Sequence, residues 1–174
     1  VTAKYISTYI DYTVKFVAEG TTVETFTKHY NEVIYVADFP AVPSKIGHNG
    51  VWSITTDITV NSSIEVNAIY TPATYKLTFE GLTNEIEVTY GDTYPTLPTP
   101  TIPHGQNFVG WFDGSTEIKA GNKVEITKDT KLVPVFTDKN VYTVTFNANG
   151  GTPNATQSVI EGDKAVKPTD PTRE

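Results

Sequence analysis

The chain has 174 residues, a formal charge of −7, no Cys and no Met. An acidic surface with its charges evenly spread repels phosphate backbones, which excludes nucleic acid as an expected partner. No stretch reaches the 18 or so apolar residues of a membrane span, and the first residues lack a charged and then apolar leader, so no membrane span is expected.

Thr makes up about one residue in six, and Tyr outnumbers Leu. With β-branched and aromatic residues dominating the apolar set, most of the chain reads as strand. Pro and Gly punctuate the apolar runs, and no long amphipathic helix is visible. The absence of Cys in a Thr-rich acidic β protein fits an exported bacterial chain that uses no disulfides.

Read in chain order, the sequence repeats itself. Val1-Thr-Ala-Lys-Tyr5 reads as the closing strand of a preceding repeat, and residues 1–11 as that strand plus a linker. The first repeat, 12–72, opens on Tyr12-Thr-Val-Lys-Phe16. The second, 73–138, opens on Tyr75-Lys-Leu-Thr-Phe79. Residues 139–174, a linker and half a third repeat, open on Tyr142-Thr-Val-Thr-Phe146. Alternation in a strand puts Tyr12, Val14 and Phe16, their counterparts Tyr75, Leu77 and Phe79, and Tyr142, Val144 and Phe146 on one predicted core face. Lys15, Lys76 and Thr78 fall on the other face.

After each opening strand come a short turn and a second alternating strand, Glu24 to Tyr30 or Glu85 to Tyr90. The proline-bearing stretches that follow, "DFPAVPSKIGHNG" and "YPTLPTPTIPHGQN", predict loops or a broken helical turn, because Pro removes ladder donors and fixes φ. Next are Trp strands at Trp52 and Trp111, whose corresponding places in the two repeats predict core packing. The second repeat adds "DGSTEIKAGNKVEITKDT", with turn signals at Asp113-Gly114 and Gly121-Asn122. Closing strands end on Tyr70 and Phe136, which join the predicted core. The C-terminal half repeat stops before a Trp strand.

Chemistry-bearing residues are sparse. His29, His48 and His104 have no second His at ligand spacing, so no metal site is expected. Glu85 with Glu87, and Glu161 with Asp163, resemble glycosidase carboxylate pairs in spacing only, and both pairs sit on the polar side of their strands. "NANGGTPN" and "DGSTE" read as turns rather than Ca²⁺ loops. No phosphate loop, nucleophile elbow or Cys nucleophile is present, so neither catalysis nor a cofactor is expected.

The segment "YTVTFNANGGTP", followed by "Q-x-V-x-x-G" and "P-T-D-P-T-R-E", resembles the internalin B-repeat, or Listeria-Bacteroides repeat, of bacterial surface proteins. The likeness is looser around "GWFDGSTEI". It is loosest in the first repeat, which lacks "NGG" and carries "GVW". The resemblance implies small β-grasp-like folds strung in tandem, hence a mainly β protein of elongated array, secreted or displayed at the bacterial cell surface. It implies a non-catalytic spacer and adhesion module that binds a host or cell-surface protein or glycan weakly. The alternative is an accessory spacer of a larger exported carbohydrate-active enzyme. Because a lone hairpin is marginal, residues 141–174 are expected either to dock on the second repeat or to pair head to tail with Val1 to Tyr5 of a neighbouring molecule.

Overall fold

In the computed structural model, residues 9–172 are described; the predicted strand at Val1 to Tyr5 lies outside them. They form thirteen strands and one short 3-10 turn, with no α-helix. By internal contacts they divide into two units. The first runs up to Tyr75 and includes Thr89–Asp92 and Lys123–Lys128; the second holds Lys76–Val88, Thr93–Asn122 and the chain from Asp129 on.

In the first unit, β1 (Asp11–Ala18) and β2 (Thr21–His29) form a hairpin. Its turn residues Glu19 and Gly20 take positive φ. After β3 (Val33–Ile34), the 3-10 turn Val36–Asp38 and an extended proline stretch, β4 (His48–Trp52) brings in the tryptophan. Then β5 (Ile58–Thr59) pairs with β3, and β6 (Ile64–Pro72) closes the repeat. The sheet order is β2-β1-β6-β4, with β1 and β6 parallel and both outer pairs antiparallel. A parallel pair needs a long crossover, and here the proline stretch with β3, β4 and β5 supplies it. The mixed sheet with a central parallel pair meets the β-grasp expectation, with no helix in the crossover.

The second sheet repeats this plan. Its strands are β7 (Thr74–Phe79), β8 (Glu85–Thr89), β9 (Gln106–Asp113), β10 (Thr116–Ile118) and β11 (Thr130–Asp138), in the order β10-β9-β11-β7-β8. Again the opening and closing strands, β7 and β11, are parallel. The inserted sequence becomes the β9–β10 hairpin, with Asp113 opposite Thr116. Pro134 is tolerated inside β11 because the β7 register ends at Leu132, so its missing N–H costs no ladder bond there. One bulge, between Val135 and Phe136, absorbs Val109, the extra residue of β9 in its pairing with β11.

The last hairpin, β12 (Val141–Phe146) with β13 (Ala155–Ile160), belongs to the second unit. Among the described residues β12 has no strand on its other edge.

The apolar core of the first unit gathers Val14, Phe16, Ile34, Trp52, Ile58, Val60 and Val66, with Tyr12 packed against it. In the second unit Leu77, Phe79, Trp111 and Leu132 are buried. Tyr12, Tyr70, Tyr75 and Phe136 are half-buried. Val144 and Phe146 are also half-buried. The core position expected at Tyr142 is corrected: the residue is 54% exposed. The pattern on β12 is the same as on β1 and β7, but among the described residues no closing strand lies beside β12.

Candidate functional site

Two arrangements occur twice, and each is built from residues whose sequence contexts differ. The first is a tryptophan clip. Trp52 meets Phe16 edge-on at a centroid distance of 5.0 Å, and Trp111 meets Phe79 in the same way at 5.0 Å. Each indole then donates its Nε1–H to a proline carbonyl in the crossover, Trp52 to Pro40 and Trp111 to Pro98, both at 2.7 Å. A buried indole N–H without an acceptor would cost about 1–3 kcal/mol, so the clip holds the crossover at one distance from the sheet. Trp52 is 7% exposed and Trp111 2%, so neither presents its face as a sugar platform.

Beside the first clip lies an open apolar cleft of about 320 Å³, lined by Val36, Phe39, Val42, Val51 and Ile54 with Trp52 at its floor. Gly50 has to be glycine there. A Cβ would come within 2.8 Å of both the Tyr70 ring and Val42, and Tyr70 uses that room to donate its hydroxyl to the Pro43 carbonyl at 2.7 Å.

The second recurring arrangement is a joint between successive repeat sequences. Within the first unit, Gly47 has φ +68° and its carbonyl accepts from the Ala73 amide at 2.8 Å. The Ala73 carbonyl in turn accepts from the Tyr90 amide at 2.9 Å. The bare Cα of Gly47 lies under the Tyr90 ring, where any Cβ would overlap it. Within the second unit, Gly105, with φ +80°, accepts from the Lys139 amide at 2.8 Å, and Asn140 accepts from Glu161 at 2.9 Å. A Cβ on Gly105 would meet Ile160 at 3.3 Å. At Gly47 the left-handed φ and the overlap with Tyr90 both call for glycine; at Gly105 the left-handed φ favours it, and Ile160 would have to give by only a few tenths of an ångström. Both glycines stand at the end of a proline stretch, next to a His.

The joints absorb two of the three histidines. His48 lies edge-on to Tyr90 at 5.7 Å, its Nδ1 2.8 Å from the Ile46 carbonyl. His104 Nε2 lies 3.1 Å from an Asp163 carboxylate oxygen. His29 sits apart, 2.6 Å from Asp11 and under Tyr9. Among the described residues no group of three His, Cys, Asp or Glu side chains could hold a metal ion. In each of the two carboxylate pairs weighed as glycosidase-like, one member is engaged elsewhere: Glu85 with Lys76 at 2.6 Å, and Glu161 with the Asn140 side-chain amide at 3.0 Å. The Glu85 carboxylate, hydrogen-bonded to the Lys76 ammonium and attracting it, raises the lysine above its ordinary value.

Sequence reasoning gives the two tryptophans corresponding places in their repeats but does not reach the joints. The signal was present as the dipeptides Gly47-His48 and His104-Gly105, each just after a proline run. Nothing in a strand pattern shows that the glycine carbonyl faces the next linker.

The family profile of the Listeria-Bacteroides repeat domain matches residues 72–134 and 142–174, together more than half of the chain. The chain belongs to this repeat family. A protein of Evansella cellulosilytica, named "Putative membrane protein", is 25% identical over 94% of the chain. The chain spans 26% of that relative's length. No solved structure matches it. Among the described residues no helix is long and apolar enough to cross a membrane.

Proposed function

We propose that this is a non-catalytic tandem-repeat segment of a bacterial surface or secreted protein, of the internalin B-repeat type, serving as a spacer and as an adhesion or protein-interaction module. The observation that carries the reading is the joint. Two different loop sequences, Lys45-Ile-Gly-His48 and Pro103-His-Gly-Gln106, meet the following linker through the same glycine carbonyl bond at 2.8 Å. A segment that only needed folded modules on a flexible string would have no use for a left-handed glycine at each joint. A spacer built from regular repeats does, because each linker then leaves its own unit in the same way. The family membership and the relative's greater length support placing the segment inside a larger surface protein.

The interaction half of the proposal is a weak contact with a host or cell-surface protein or glycan. Exposed apolar side chains such as Val51 and Ile69 in the first unit offer the surface for it.

The two halves separate in one experiment on the parent bacterium. Residues 9–172 are deleted in frame, or replaced by unrelated β domains of equal number, and adhesion is measured at equal surface abundance. Deletion should lower adhesion. Rescue by the unrelated domains would leave the spacer role alone, and failure of rescue would support direct contact. Full adhesion after deletion overturns both.

A further inference from the structure

The two complete repeats differ at one sheet edge. In the second, β10 pairs antiparallel along β9 with Ile118 opposite Trp111, and Ile118 is only 9% exposed, so an aliphatic side chain closes the sheet beside the indole. In the first, β4 takes the corresponding place, since Trp52 stands opposite Ala68 in β6 as Trp111 stands opposite Pro134 in β11. Among the described residues β4 pairs with β6 alone. A length difference inside the repeats is the cause. Val60 and Val124 correspond, because each is buried and donates its amide to a carbonyl just after the first hairpin, Glu32 or Asp92. Yet Val60 lies eight residues after Trp52, and Val124 lies thirteen after Trp111. The extra residues form the β9–β10 hairpin. The open edge thus belongs to a repeat whose opening, Trp and closing strands are all present.

Beside that edge lies the cleft of about 320 Å³ at Trp52, bordered by Val36, Phe39, Val42 and Ile54. Charge narrows what fits there. The wall segments 36–42 and 51–57 carry Asp38 and Asp57 and no Lys or Arg, and residues 9–75 hold seven Asp and Glu against three Lys. Asp38 lies between the lining residues Val36 and Phe39, and Asp57 accepts from the Val36 amide at 2.8 Å. On the outer face, β9 places Gly110 where a Cβ would run into Glu117, whereas β4 places Val51 beside Ile69, 52% and 49% exposed.

From this contrast we infer that the β4 edge and its cleft form a docking site for an extended basic segment of another protein. The segment adds antiparallel to β4 through main-chain bonds, as β10 does to β9. One Ile or Val seats against Trp52 where Ile118 seats against Trp111. The next residue, β-branched, faces Val51 and Ile69. Flanking Lys or Arg meets the acidic rim, and an acidic segment is repelled. This inference rests on the interaction half of the proposed function and names the chemistry of its partner.

The test uses the intact chain, labelled for NMR, and a short synthetic peptide with capped ends that alternates Ile with Thr and carries Lys at both ends. Saturable shifts should appear from Val51 to Ile54, at residues 36–42 and at the Trp52 indole N–H, but not along β9, whose edge β10 already covers. Replacing the peptide's Ile residues with Ala should weaken binding about tenfold or more, the scale of one aliphatic side chain left out of its seat. N-methylation of its amides should abolish binding. Val36 is 48% exposed, so Val36→Lys should weaken binding to a similar extent with the urea midpoint unchanged. Val133→Lys, at an exposed position of β11, should not weaken it. No saturable binding, equal binding of the Ala peptide, equal binding of a peptide flanked by Glu instead of Lys, or like shifts at every strand edge would each overturn the site. Concentration-dependent shifts at β4 without peptide would give the edge to a second copy of the chain and overturn the partner. Peptide binding at β4 with full adhesion after the deletion would support the site and remove the adhesive reading. Lost adhesion without peptide binding would overturn the site and leave that reading standing.

Discussion

The same five-residue frame, Tyr-x-aliphatic-x-Phe, opens β7 and β12, yet the two strands end in different surroundings. Leu77 and Phe79 are 0% and 2% exposed, while Val144 and Phe146 are half-buried and Tyr142 is 54% exposed. Each strand has its hairpin partner, β8 or β13. Among the described residues, only β7 of the two has a parallel closing strand beside it and a tryptophan across its Phe. Alternation therefore decides which face can be buried, and the third and fourth strands decide whether it is. The hairpin at the C-terminal end stays in place by other means: its base is held at Gly105 through Lys139 and at Asn140 through Glu161.

Substitution of the two phenylalanines gives the largest contrast. Phe79→Ala should destabilise the second unit by about 3–5 kcal/mol, the cost of removing a large ring from a filled core. Phe146→Ala removes a ring that is still partly wet and should cost less than about half of that, in proportion to the area buried. Hydrogen exchange at the β7 and β12 amides reads the two losses separately. Equal losses at the two sites would mean that β12 is covered as fully as β7, contrary to the burial described above.

Glycines give the next contrast. Gly47 and Gly20 both have positive φ, +68° and +78°, but open space surrounds a Cβ built on Gly20, while one on Gly47 overlaps the Tyr90 ring. Gly20→Ala should cost about 1–2 kcal/mol from backbone strain alone. Gly47→Ala adds the displacement of Tyr90, a further cost of about 1–3 kcal/mol. It should also expose the Ala73 and Tyr90 amides to exchange, since both bond along that joint. Urea unfolding of the two variants, with exchange at those amides, separates strain from the joint. If Gly47→Ala behaves like Gly20→Ala, the Gly47 contact does not constrain the local backbone and the spacer reading loses its support.

How much of this was legible in the sequence follows from the range of each interaction. Strand positions and the two tryptophans' shared role are local and periodic, so Val14, Phe16, Leu77, Phe79, Trp52 and Trp111 were found from alternation and repeat order. Strand ends slipped by one to three residues, as at β2, which starts at Thr21 rather than Glu24. The joints escaped because they depend on carbonyl direction at a glycine, which no side-chain pattern records. Tyr142 differs for the opposite reason: its alternation matches that of Tyr12 and Tyr75, but alternation names a face and not what covers it, and the residue is 54% exposed. The proline carbonyls that clip Trp52 and Trp111 were equally invisible, since proline was read only as a breaker of strands.

The smallest expected effect lies on the polar face of β7. Lys76 is exposed there and pairs with Glu85 at 2.6 Å, and the carboxylate raises the lysine above its ordinary 10.5. A cation whose affinity for its proton rises on folding stabilises the fold while it is charged in both states. That contribution is fully present below pH 10.5 and is lost as the pH climbs through the raised folded value. Because both side chains of the pair are about half exposed and the pair is screened by salt, Lys76→Ala at neutral pH should leave the urea midpoint of the second unit within measurement error. Its sign is still testable. At low ionic strength the parent chain should lose any advantage over Lys76→Ala above pH 10.5, and added salt should erase it at every pH. A Lys76→Ala loss comparable to that of Phe79→Ala would place the lysine on the buried face and reverse the register of β7, turning Leu77 and Phe79 outward.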